Sequence, residues 1–80
     1  YEKMYGAVTG IRSYFGTEYF TNLKIPVNYI DNFLQFVYTS DNILPYIQNN
    51  NYEAVSLYIE KYLPIYLRRL RNWQLMGSTQ

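Results

Sequence analysis

Six carboxylates could do acid–base work: Glu2, Glu18, Asp31, Asp41, Glu53 and Glu60, scattered over separate segments. The chain has no His and no Cys. The commonest general base, the commonest metal ligand and the thiolate nucleophile are therefore all missing. Ser13, Ser40, Ser56 or Ser78 would need a lysine or a carboxylate to activate it, and no spacing in the chain sets one beside them. No catalytic residue, cofactor-binding residue or metal ligand is expected, and the chain reads as non-enzymatic. Glu18, Asp41 and Glu53 have a simpler use, at helix starts, where negative charge complements the macrodipole.

The second candidate constellation is Tyr66-Leu67-Arg68-Arg69-Leu70-Arg71-Asn72-Trp73. On a helix Arg68 and Arg71 share a face, while Arg69 lies to the side, toward Asn72 and Trp73. Three guanidiniums flanked by aromatics could contact phosphates, with Trp73 or Tyr66 stacking on a base. The plainer reading is that cations belong at a helix C-terminus and that their apolar stems cover neighbouring Leu and Trp. A net charge of +1 is low for a dedicated nucleic-acid module. An amphipathic membrane-surface helix over residues 62–76 is a third reading, weakened by a poorly divided face and only three cations.

The aromatic content carries more weight. Eleven Tyr, four Phe and Trp73 sit in only eighty residues. A domain this small has a high surface-to-volume ratio and can hide few large side chains completely. Some rings must lie at least partly at the surface, where Tyr is tolerated and where exposed aromatic area marks contact surfaces. Tyr58, Tyr62, Tyr66 and Trp73 are the expected protein-interface anchors, since Tyr, Trp and Arg tend to dominate binding energy.

The elements that must position these residues read as helices throughout. Met4, Val8, Ile11 and Phe15 recur at helical spacing and give a first helix over about residues 2–15, stopped by Gly16. Gly6 and Gly10 weaken it and are expected to allow a close backbone approach. Thr17 is placed as the cap of a short turn over Glu18–Leu23, and Pro26 at the first position of a second helix. In that helix Val27, Ile30, Leu34 and Val37 make one stripe and Tyr29, Phe33 and Phe36 another, so residues 27–38 should be central. Asp41 is expected to cap a short helix over 42–48, with Pro45 in its first turn. Asn50 and Glu53 have the spacing of a capping box for a third long helix carrying Val55, Ile59, Tyr62 and Tyr66 on one face. A kink or restart is expected near Pro64. Leu63, Leu67 and Leu70 continue the apolar face to Trp73.

The expected architecture is all-α: one helical domain over residues 1–76, a compact bundle of three long helices plus one or two short ones, and a flexible tail over 77–80. Without disulfides or a thiolate zinc site, stability must come from packing, alone or with association. No apolar run approaches the length of a membrane span, and the chain is expected to be soluble, cytoplasmic or virion-associated. A start at Tyr1 suggests a processed product or a trimmed piece. Richness in Tyr, Ile and Asn with little Ala suggests an AT-rich coding sequence, as in viruses, plasmids and some parasites. The functional expectation is an interaction or assembly module that binds itself, most simply as a dimer, or a protein partner. The alternative is a nucleic-acid-binding regulator or nucleoprotein using Arg68, Arg69 and Arg71.

Overall fold

The computed structural model describes the backbone of residues 2–78 and the side chains of residues 3–74. Every regular element among them is helical: α1 (Glu2–Phe15), α2 (Thr17–Asn22), a 3-10 turn (Val27–Tyr29) leading directly into α3 (Ile30–Ser40), α4 (Leu44–Gln48) and α5 (Tyr52–Ser78). No helix is long and apolar enough to cross a membrane.

Local chemistry explains the joints. Gly16 ends α1, its N–H donating to the Arg12 carbonyl at 2.8 Å. The same residue is the N-cap of α2 at φ 86° and ψ 156°, a backbone region that is essentially glycine's alone. Thr17 is thus the first residue of α2 and not its cap. Pro26 caps the 3-10 turn with extended backbone, one turn ahead of α3 proper. Asp41 receives the Asn42 N–H on its own carboxylate at 3.1 Å, and α4 begins later than expected, at Leu44, with Pro45 in its first turn. The cap of α5 is Asn51, whose side-chain oxygen accepts the Ala54 N–H at 3.3 Å. Asn50 instead takes a positive φ of 56°, a conformation Asn tolerates better than most residues. It closes the turn after α4 and cannot also cap the next helix.

Three expectations need correction. The helix over 52–78 does not restart at Pro64, which lies inside an unbroken α5. Pro64 is solvent-facing, whereas Ile59 and Tyr66 on either side of it are buried. Burial of those flanks outweighs the roughly 3 kcal/mol that an interior proline costs. Helix α5 also runs two residues into the segment read as a tail; residues 79–80 lie outside the described residues. Gly6 and Gly10 serve no close approach either. A Cβ on Gly6 would meet nothing within 4 Å, and one on Gly10 would sit at an ordinary 3.7 Å from the Tyr52 hydroxyl.

Helix α3 is the hub, packing on α1 and on α5, while α2 and α4 close the ends against α1 and α5 respectively. The buried core draws on four of the five helices, with α4 only partly buried against it. Val8 and Ile11 come from α1, Phe20 from α2, and Ile30, Phe33, Leu34 and Val37 from α3. Val55, Ile59, Tyr66 and Leu70 come from α5, and the loop residues Ile25 and Ile43 fill the gaps. Val27, placed by its spacing on the inner stripe, is instead exposed, because it sits in the 3-10 turn before α3 takes up its helical phase. One ion pair outside the core, Arg12 to Asp31 at 2.8 Å, ties α1 to the start of α3.

Gly6 and Gly16 should separate cleanly on substitution. Gly6→Ala, in open space within a helix, is expected to raise stability by about 0.5–1 kcal/mol. Gly16→Ala should lower it by about 1–3 kcal/mol through backbone strain, although no atom would obstruct the new methyl group. Urea denaturation of both variants against wild type checks the opposite signs.

Candidate interaction surface

Helix α5 has an inner face made by Val55, Ile59, Tyr62, Tyr66, Leu70 and Trp73, three or four residues apart, so all point the same way. Up to Leu70 that face is covered by α3 and α4. Trp73 follows in the same direction, yet is 48% exposed. At roughly 1.5 Å per residue α5 is about 40 Å long, against 25 and 20 Å for the shorter dimensions of the molecule. The helix outruns the body that covers it, and Trp73 marks where cover fails.

The tryptophan is not isolated. Its ring meets the edge of Tyr66 with centroids 6.2 Å apart and planes at 86°. It lines a cleft of about 270 Å³ whose other walls include Met4, Asn32, Phe36, Tyr66 and Arg69. The Arg69 guanidinium lies 4.9 Å from the Phe36 ring centroid, a cation–π arrangement that holds the charge at the rim. Tyr66 is the floor: only 1% of it is exposed. Its hydroxyl donates to the Asn32 side-chain oxygen at 2.7 Å, and burial pushes the phenol's pKa up, with the nearby Tyr29 adding to the effect. Met4 and Gln35 also border a second cleft, of about 430 Å³, which holds Tyr5, Ser13 and the Arg12–Asp31 pair.

The four residues expected to anchor an interface thus have three different roles. Trp73 stands at the surface. Tyr66 is core and presents almost nothing to a partner. Tyr58 and Tyr62 are half-buried on α5 and lie away from the Trp73 cleft. Tyr58 sits beside Tyr46 of α4, with ring centroids 5.7 Å apart. Tyr62 packs edge-on to Phe36 and donates its hydroxyl to the Asp41 carboxylate at 3.0 Å. Lys61 approaches the same carboxylate oxygen at 3.4 Å. Asp41 is therefore the point where the end of α3 is fastened to the middle of α5. The hydrogen bond from Tyr62, joined by Lys61 and the Asn42 N–H, holds its carboxyl below the usual carboxylate range. Lys61 is pushed up by the hydrogen bond to Asp41 and by the charges around it, so it stays an ammonium and is not a base at neutral pH.

The remaining rings largely cover one another. Tyr14 is stacked on Tyr52 with centroids 4.2 Å apart and planes at 12°, and Phe15 stacks on Tyr19 at 4.6 Å. Phe20 is buried against the edges of both Phe15 and Tyr19. Ring-on-ring packing at the boundary disposes of much of the aromatic surplus, so exposed aromatic area concentrates at Tyr5, Tyr14 and Trp73.

The arginines divide as their spacing implies. Arg69 faces the Trp73 cleft, whereas Arg68 and Arg71 flank a shallow groove with Pro64 and Leu67 on another side of α5. Ser40 and Ser56 donate their hydroxyls to carbonyls of their own helices, at 2.6 Å each, and face no base. Among the described residues no three of His, Cys, Asp and Glu gather as a metal site would need. Sequence reasoning missed Met4 and Phe36 as neighbours of Trp73. The spacing of Arg69 and Trp73 placed those two together, but nothing local could bring Met4 to them from the other end of the chain. Comparison with protein-family models, with curated proteins and with solved structures finds no match to this chain.

The Asp41 junction makes a pH-dependent prediction. A carboxyl whose pKa is depressed in the fold contributes stability that is present above its unfolded pKa and is lost as pH falls through the folded one. Stability should therefore decline on acidification through and below the usual carboxylate range, and Asp41→Asn should flatten that decline. Thermal melts at successive pH values, wild type against variant, check it.

Proposed function

We propose that the chain is a non-catalytic helical interaction module, which takes a protein segment into the cleft at Trp73. The observation that supports this reading is a half-exposed tryptophan on the inner face of α5, where the preceding residues are buried or half-buried. Phe36 and Met4 lie beside it and an arginine is held over Phe36 at the rim. Large aromatic side chains with a partly desolvated arginine make up the usual centre of a protein-binding surface. A volume near 270 Å³ suits one or two inserted side chains, not a substrate enclosed for chemistry. The inserted segment belongs to a protein partner or to another copy of the chain.

A nucleic-acid-binding role through Arg68, Arg69 and Arg71 is the second reading. It is favoured by the exposure of all three and by the lack of an ion-pair partner for any of them among the described residues. Against it, the three point to two different sides of α5, and Arg69 is engaged with Phe36. Binding of this kind would weaken steeply with salt, and an unchanged affinity for RNA or DNA after replacement of all three by Ala would remove it.

Trp73 is the only tryptophan, so its fluorescence reports the cleft directly. Peptides selected from a displayed library against the wild-type chain are expected to shift its emission to shorter wavelength. Trp73→Ala should weaken those peptides by about 2 kcal/mol or more, and Phe36→Ala or Arg69→Ala by about 1 kcal/mol or more. Selected peptides that bind Trp73→Ala as well as wild type would refute the cleft.

A further inference from the structure

We propose that the outer face of α5 is a self-association surface on which a second copy packs its own α5, antiparallel, across a twofold axis at Pro64. This inference rests on the reading of the chain as an interaction module, but it uses a face opposite the Trp73 cleft. Leu57, Lys61, Pro64, Arg68 and Arg71 follow one another at helical spacing along the side away from the core. Leu57 is 63% exposed and Ile65, at the edge of this strip, 40%. Pro64 lies between them, also exposed, and Leu67 is half-buried beside it. A run of apolar surface in the middle of the uncovered side of a long helix is what an interface removes from water.

Charge order names the occupant. The outer face carries Glu53 and Glu60 before Pro64, and Arg68 and Arg71 after it. All four are exposed, and none forms an ion pair among the described residues. Lys61 breaks the order in sequence but not in effect, since its ammonium is turned to Asp41. The sense of this order also suits the helix dipole, but that influence fades beyond the first and last turns. Glu60 and Arg68 lie in the middle of α5.

The face is complementary to itself only when turned end for end. Glu60 and Arg68 are each four residues from Pro64, and Leu57 and Arg71 are each seven. An antiparallel pair centred on Pro64 therefore sets Glu60 of each copy level with Arg68 of the other. It also sets Arg71 level with Leu57, between Glu53 and Glu60. A parallel pair would place like charges together. This is the isologous contact by which most soluble dimers form.

Sedimentation of the full chain over a dilution series at low salt tests the register. Wild type is expected to show a monomer–dimer equilibrium. Glu60→Arg alone, or Arg68→Glu alone, turns both symmetric contacts repulsive and should weaken the dimer by about tenfold or more. An equal mixture of those two variants should dimerise again, because each then supplies what the other lacks, and E60R/R68E in one chain should likewise recover. Circular dichroism of each variant confirms that exposed substitutions leave the helices intact. A wild type that stays monomeric throughout, single variants that dimerise like wild type, or a mixture that does not recover would overturn the proposal. Loss of the dimer in Trp73→Ala would also overturn it, by moving self-association to the cleft. Failure of the charge exchange leaves the peptide test of the cleft unaffected.

Discussion

The structure depends on the burial of the inner face of α5 against α3. The chain has no cysteine and the described residues gather no metal site, and the largest fully buried side chain, Tyr66, is at this seam. Its ring lies 5.0 Å from Phe33 and 5.8 Å from Phe36, and its hydroxyl finds Asn32 without leaving the core. A phenol can be buried cheaply only if its one polar atom is satisfied. Asn32 meets that condition from the adjoining turn of α3. The fastening of Asp41 to Tyr62 and Lys61 lies on the same seam, so hydrophobic and polar contacts reinforce one alignment of the two helices.

This seam also explains why a proline is tolerated midway along α5. The residues that would bear the cost of a break, Ile59 before it and Tyr66 and Leu70 after it, are all buried in the one core cluster. Breaking the helix would displace one group or the other from the core. Several kilocalories of lost burial weigh against one missing hydrogen bond.

Much of the fold could be read from residue spacing. The inner faces of α1 and α3, the stop at Gly16 and the all-helical class follow from apolar periodicity and one glycine, both local signals. Where three asparagines stand in a row, composition fixed the turn but not its register, because Asn suits both a positive φ and a cap; the structure gives the first role to Asn50 and the second to Asn51. The restart expected near Pro64 does not occur because local propensity yields to tertiary burial. The candidate site was half legible: Trp73 and Arg69 share a side of one helix by spacing alone. That the tryptophan is uncovered, that Met4 is beside it and that Tyr66 lies beneath it depend on how far α5 outreaches the body. No local window contains that information. The count of rings pointed to surface aromatics, and the structure places most of them against one another.

The position of α5 in the chain bears on how the protein comes into being. Ile59, Tyr66 and Leu70 are synthesised after the residues of α3, on which α5 packs. Until about residue 70 has emerged, Phe33, Leu34 and Val37 have no permanent cover on that side. A growing chain at that stage presents an aromatic, aliphatic surface to its surroundings. Completion of this core thus waits on the synthesis of α5, and a chain cut short within α5 would leave that surface uncovered.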